Sequence, residues 1–292
     1  MKAMTTSTIP KTLTIAVVGA GGKMGMRVSA NLQRSSHTVL YCENSPAGRD
    51  RTSAAGRDLT DTTVAVGSAD VVILAVPDVA LGPVTAQVVP QVAPGTIVLT
   101  LDPAAAYANL LYPRSDVAYA VAHPCHPSVF LQRRTEAEVR DTFGGIAAAQ
   151  DVIAAMEAAD VAQRAIAEEV IRLMYAPVLD VHWVTVKQLA YLEPTLVEVV
   201  ACMIGDLLSD ALRETVDTVG VPEAAARAIL LGHVQVALAN GLRGDNPFSD
   251  ACLIAMDYGR DKIIKDDWKS IFNDAELDHV ITQMLHLDHI QH

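Results

Sequence analysis

Three short stretches hold the residues best suited to chemistry. Residues 15–25 read IAVVGAGGKMG, a β-branched run that ends in a glycine cluster. Residues 122–128 read AHPCHPS, with His123 and His126 each followed by proline. Residues 187–198 place Lys187, Glu193 and Glu198 in an otherwise apolar segment that contains Pro194. Glycines between a strand and a helix leave backbone N–H groups pointing outwards, and the helix dipole adds partial positive charge, so the first stretch suits a pyrophosphate. Gly19 and Gly21 fit the opening of a G-x-G-x-x-G fingerprint, but Met24 stands where the third glycine belongs. Read through Gly19, Gly22 and Gly25, the spacing is regular. Gly19 permits the turn, Gly21 and Gly22 let backbone approach phosphate, and Gly25 lets helix and strand pack closely. Lys23 and Met24 then open the helix, with Met24 starting its apolar face.

The second strand candidate ends in Glu43, about 18 residues past Gly25 and near the roughly 20 expected for a ribose-binding acid. A carboxylate there accepts hydrogen bonds from ribose hydroxyls and repels a 2′-phosphate. It selects NAD over NADP, although Arg49 and Arg51 lie nearby. Val76 and Pro77, with Asp78, end a further strand and are expected to line the nicotinamide side of the cleft.

His123 follows a strand candidate directly, so it belongs at the carboxyl edge of a sheet. General base, substrate ligand, metal ligand and locally bonded loop histidine all remain open for it. Cys125 lacks the spacing of a structural zinc site, and adjacent side chains in an extended turn diverge, which disfavours a Cys125–His126 nucleophilic pair. A metal at His123 needs a further anionic ligand, for which Glu193 is the first candidate and Glu198 the alternative. Lys187 and Glu193 lie about 120° apart on a helical wheel. Arg260, Lys262 and Lys265 offer cations but read as a solvated helix end, and His233 reads as a core histidine.

The elements that must position these groups alternate. Strands are expected over residues 14–19, 38–43, 61–66, 70–76, 96–101, 117–122 and 177–184, with 146–150 as a further candidate. Helices are expected over 23–34, 81–92 and 158–174. Apolar strands separated by helices imply a doubly wound parallel sheet of Rossmann type. From residue 186 the pattern is helical only: 186–219, 224–240, 249–256, 266–272 and 276–287. The chain therefore reads as an NAD-binding domain over 1–185 and an all-helical substrate and dimerisation domain over 186–292, with the cleft between them. The long apolar helix over 189–219 exceeds what one small domain buries, which points to a homodimer.

Composition sets limits. The net charge of −12 disfavours nucleic acid and anionic membrane as partners. Hydrophobic residues make up 51%, yet no window reaches the roughly 18 uncharged apolar residues of a spanning helix. Residues 1–11 lack a signal-peptide core, and four cysteines without CxxC spacing suggest a reduced, cytoplasmic setting.

VVGAGGKMG, ADVVILAVPD and AHPCHPS together resemble the 6-phosphogluconate/β-hydroxyacid dehydrogenase and prephenate dehydrogenase superfamily. GAGGKMG also resembles the dihydrodipicolinate reductases, which lack the helical second half. The hydroxyacid dehydrogenases carry Lys-x-x-Asn at the start of the interdomain helix; here Lys187-Gln-Leu-Ala190 keeps only the lysine. Over most of its length the chain resembles the D-apionate oxidoisomerases. That resemblance implies NAD, a small anionic branched sugar acid as substrate, and oxidation coupled to rearrangement of D-apionate to 3-oxo-isoapionate. It also implies a divalent ion, zinc, at His123 and Glu193, with Lys187 as proton shuttle or carboxylate holder. A metal-free NAD-dependent 3-hydroxyacid dehydrogenase and an NAD-sensing binding module are the competing expectations.

Overall fold

The computed structural model describes residues 12–290; the tail expected over 1–11 and the terminal His292 lie outside them. The chain divides into two compact units, Met1–Glu193 with Asp278–His292, and Pro194–Leu277. The strands of the first unit are β1 (Thr14–Val18), β2 (Thr38–Cys42), β3 (Val71–Leu74), β4 (Ile97–Thr100), β5 (Ala118–Pro124), β6 (Gln150–Ala155) and β7 (Val178–Val184). They form one sheet in the order β2-β1-β3-β4-β5-β6-β7. Strands β1 to β5 are parallel, β6 runs antiparallel to β5, and β7 is parallel to β6. The doubly wound Rossmann-type fold is thus as expected, with one antiparallel junction that the pattern did not show.

Alternation along the strands fills both faces. Ile15 and Val17 point to one core with Ile73, Leu99, Ala120 and the helix Val161–Met174, while Ala16 and Val18 point to the other with Leu74, Val98, Leu81 and Val88. Each fully buried Val, Leu or Ile contributes about 1.5–3 kcal/mol. Helix α1 (Lys23–Leu32) covers the first face; α2 (Pro46–Ala54), α3 (Thr62–Ser68) and α4 (Asp78–Val88) complete this half.

Several expectations change. Residues 61–66 were expected as a strand but belong to α3. The Asp61 carboxylate caps it, accepting from the N–H groups of Thr63 and Val64, and a short apolar run fits either state. Residues 146–150 do not start a strand. The N–H groups of Ile146, Ala147 and Ala148 are all donated to the Asp141 carboxylate, so β6 begins at Gln150. The helical pattern expected over 186–219, broken only by Pro194, is three pieces: an α-helix Val186–Ala190, a π-helical stretch Tyr191–Cys202, and an α-helix Met203–Asp217. Pro194 explains the middle one, because it donates no N–H and its ring crowds the preceding turn, which a wider coil relieves.

The second unit contains the helices Met203–Asp217, Glu223–Leu238 and Asp250–Ile263. Among the described residues from Pro194 to Leu277, only Ala226 and Leu277 are buried hydrophobics, whereas Ile229, Leu231, Val236, Leu242, Ile254 and Tyr258 are all more than half exposed. His233, expected in a core, is exposed, with Nδ1 bonded to the Ile229 carbonyl. By length and composition alone, Glu223–Arg243 is long and apolar enough to cross a membrane, and 6% of that window is buried.

Tyr175 ties the Val161–Met174 helix to the strand that carries the site. Its ring is fully buried and its hydroxyl donates to the Ala122 carbonyl at 2.8 Å. Tyr175→Phe leaves that carbonyl without its donor and is expected to cost about 1–3 kcal/mol in a urea titration; an unchanged midpoint would contradict the assignment.

Candidate active site

The glycine loop joins β1 to α1 where β2 and β3 diverge on either side of β1, the topological switch point of the sheet. A Cβ on Gly19 (φ +83°) would lie 2.5 Å from the Ala75 carbonyl oxygen at the end of β3, and one on Gly25 would lie 1.9 Å from that of Gly19. Gly22 differs: its nearest neighbour would be 3.4 Å away, and it faces a cavity. Its missing side chain leaves room for a ligand rather than for the chain. Gly22 also caps α1 without a side-chain hydrogen bond, so the first N–H groups of the helix, including those of Lys23 and Met24, are available to a phosphate.

Glu43 follows β2 and reaches back to this loop. Its Oε2 accepts the Gly21 N–H at 2.9 Å, and its Oε1 accepts both the N–H and the hydroxyl of Ser45. Burial pushes its carboxyl up, but the hydrogen bonds from Ser45 and Gly21 outweigh that and hold it below its ordinary range. Beside it, a cleft of about 120 Å³ is lined by Gly19, Glu43, Val76, Val84 and Val88. Its place at the switch point suits the adenosine half of a dinucleotide.

A larger cavity of about 360 Å³ opens on the other side of the loop. Gly22, Lys23 and Met24 line one wall and Val76, Pro77 and Asp78 another, and Asp102, His123, His126 and Phe143 are among the other lining residues. All these residues belong to the first unit. Strand register explains one pair. Thr100 of β4 stands opposite Val121 of β5, and Asp102 and His123 each lie two residues further on, so the pleat brings them side by side. Glu193 joins them from the π-helical stretch; four residues earlier, Leu189 is buried against Val121 and Ala155.

Asp102, His123 and Glu193 each offer a ligand atom within 4.8 Å of the others. His123 Nδ1 lies 3.1 Å from the Leu101 carbonyl and 3.9 Å from Asp102, and Nε2 lies 4.0 Å from Glu193. Donation of Nδ1–H to that carbonyl turns the Nε2 lone pair towards Glu193. Burial pushes the imidazole down, so it is held neutral, although Asp102 opposes this. Burial pushes the Asp102 carboxyl up, partly offset by the Ala104 N–H, by His123 and by a hydrogen bond with Glu193. Two carboxyls in hydrogen-bond contact need a shared proton or a shared cation, because two bare carboxylates repel.

Asp102 was missed in the sequence, yet its signal was that of His123: a polar residue immediately after an apolar strand, here before Pro103. His126 is in the left-handed region (φ +59°), and its Nδ1 lies 2.7 Å from the Phe143 carbonyl, which turns that nitrogen away from any pairing with Cys125. Lys187 is exposed in the Val186–Ala190 helix and does not line the cavity. Glu198, Arg260, Lys262 and Lys265 are also exposed and belong to the second unit.

Comparison with known proteins completes the picture. Residues 131–285 match the family of the phosphogluconate dehydrogenase (decarboxylating) C-terminal domain, and residues 2–127 match a Rossmann-like domain. A D-apionate oxidoisomerase from Pectobacterium atrosepticum is 60% identical over 278 residues, which is 95% of this chain and 98% of that protein. The chain belongs to the D-apionate oxidoisomerase family. A second member, from Cupriavidus necator, is 41% identical over 90% of this chain and 96% of its own. Among solved structures, a semialdehyde dehydrogenase NAD-binding protein from Cupriavidus necator, in complex with calcium and NAD, superposes with a TM-score of 0.90 at 40% identity, covering 93% of this chain and 99% of that one. With its glycine loop, Glu43 and this membership, the chain is an NAD-dependent oxidoreductase.

Glu43→Ala removes the acceptor of Gly21 and the charge facing the adenosine cleft. It is expected to weaken NAD binding by about tenfold to a hundredfold, from the roughly 1.5–3 kcal/mol carried by hydrogen bonds to a charged group, and to erode the preference over NADP. Calorimetric titration with both cofactors checks this, and equal NAD affinity in the two proteins would contradict it.

Proposed function

We propose that this enzyme converts D-apionate to 3-oxo-isoapionate with NAD and a divalent ion, zinc, at His123 and Glu193. The observation that carries the reading is the convergence of Glu193 on Asp102 and His123, two residues that line the nicotinamide-side cavity. A neutral imidazole and two carboxylates suit zinc better than a hard cation such as calcium, which prefers oxygen alone. The carboxyl pair, which needs a shared proton or cation, fits an ion at this place, and Asp102 supplies a third ligand atom.

The substrate's C2 hydride passes to the nicotinamide, and the C2 hydroxyl proton is lost, giving a 2-oxo acid beside a tertiary alcohol. As that alcohol loses its proton, the hydroxymethyl group migrates with its electron pair from C3 to C2. A ketone forms at C3, and the C2 oxygen takes up a proton. The net products are the rearranged oxo acid, NADH and one proton. A bound divalent ion would polarise the ketone and acidify the neighbouring alcohol. Asp102, His123 and Glu193 would hold that ion beside the reacting carbons. His123 is oriented for the site by the Leu101 carbonyl, and the Val76–Pro77 edge of β3 forms the wall for the nicotinamide.

Lys187 lies outside this cavity, and the reading assigns it no step. The apolar helices of the second unit are covered by a second copy of the chain rather than by lipid. Exposed hydrophobics occur on each of the helices Met203–Asp217, Glu223–Leu238 and Asp250–Ile263, and a net charge of −12 opposes an anionic bilayer. Four free cysteines accord with a cytoplasmic setting.

Chelation, or His123→Ala, is expected to abolish formation of the rearranged product while NAD still binds, as read by product analysis by NMR and by NAD titration. Full rearrangement after either treatment would sink the metal reading, and an unrearranged oxo acid from the untreated enzyme would favour a plain hydroxyacid dehydrogenase. Sedimentation is expected to give twice the chain mass of 31.1 kDa; a monomer at micromolar concentration would refute the dimer.

A further inference from the structure

The cavity has an electrical direction. One end holds Asp102, with Glu193 beside it and His123 held neutral, and Asp78 on the Val76–Pro77 wall is a further lining carboxylate. Near the glycine loop stands Lys23, the one lining residue, among those described, with an ammonium or guanidinium group. A sugar acid carries its own negative charge at C1. A divalent ion held at the Asp102 end would be balanced by the Asp102 and Glu193 carboxylates, so that end offers the substrate carboxylate no surplus of positive charge, whereas Lys23 does.

We propose that the Lys23 ammonium binds the substrate carboxylate and so fixes which end of the sugar acid enters first. This rests on the oxidation of a sugar acid argued above and deepens it. The backbone N–H of Lys23 stays with the glycine loop, where a pyrophosphate binds, but the side chain leaves the loop. Its Nζ sits 4.8 Å from the centroid of the Phe143 ring, and no carboxylate lies within ion-pair distance of it among the described residues. Phe143 is a fixed platform. His126 packs at 4.4 Å between ring centroids and bonds to the Phe143 carbonyl. Arg27 lies over the same ring at 4.3 Å while donating to the Gly144 carbonyl. Arg27 is thereby committed to the loop, whereas the exposed four-carbon stem of Lys23 is long enough to swing its charge from the ring towards a ligand. With the carboxylate at Lys23, the C2 and C3 oxygens are left to face Asp102 and His123, the order the chemistry needs.

The test measures binding separately from turnover. Affinities for NAD, for D-apionate in the presence of NADH, and for the matched neutral alditol are determined by calorimetry for the wild type, Lys23→Met and Lys23→Arg. The expected result is a loss of about tenfold or more in D-apionate affinity for Lys23→Met, recovery in Lys23→Arg, and NAD affinity within about twofold throughout. The preference for the acid over the alditol is lost in Lys23→Met alone. Unchanged D-apionate affinity in Lys23→Met, or a loss confined to NAD, would overturn the proposal and return the side chain to the pyrophosphate. NADH formation is followed in parallel. A wild type that binds D-apionate through Lys23 but reduces no NAD would sink the functional reading while leaving this assignment standing.

Discussion

Two acidic side chains, Asp102 and Glu193, are held against each other and against a neutral imidazole where water scarcely reaches. Their side chains are 17% and 7% exposed. Such a grouping is costly, because each buried charge forfeits several kcal/mol of hydration and the two carboxylates oppose one another. It persists only if the surrounding backbone leaves these groups no alternative position. Much of the first unit serves that end. Parallel register between β4 and β5 puts Asp102 beside His123. The Leu101 carbonyl fixes the imidazole tautomer, and the Ala104 N–H holds Asp102 through its Oδ1. Leu189, seated on Val121 and Ala155, anchors the segment that delivers Glu193.

The cofactor side obeys a different constraint, that of contact. At Gly19 and Gly25 the backbone passes too close to its neighbours for any side chain, and Glu43 pins the loop through Gly21. One region is therefore defined by charge held in place and the other by volume left empty. Among the described residues the cavity between them has one lining ammonium group, Lys23, which would set the orientation of a small anion there.

How far this was legible in the sequence depended on whether the signal was local. The βαβ alternation, the shifted glycine fingerprint and Glu43 are all read within a few residues of one another, and the strand-to-helix context made them plain. His123 was visible because it follows a strand. Asp102 carried the same signal, but only the β4–β5 register, a long-range property, shows that the two are neighbours. Residues 61–66 went astray because TTVAV fits helix and strand alike, and the deciding cap, Asp61, acts through its side chain. The strand expected at 146–150 failed because Asp141, several residues upstream, takes the N–H groups a strand would have used. Phe143 had no sequence signal; its importance comes from the side chains of Lys23, Arg27 and His126, which converge on it from two distant segments.

Helix α1 is fastened to the loop that carries Phe143. Asn31 of α1 donates from one amide nitrogen to the carbonyls of Gly145, Met174 and Ala176, and Arg27 of the same helix donates to Gly144. The helix whose first turn receives the cofactor and the loop whose aromatic ring walls the substrate cavity are therefore one rigid part. Selection acting on either function moves both. Drift in cofactor preference achieved by shifting α1 would carry the substrate wall with it, so this scaffold can explore new substrates freely only through side chains that leave the Asn31 clasp intact.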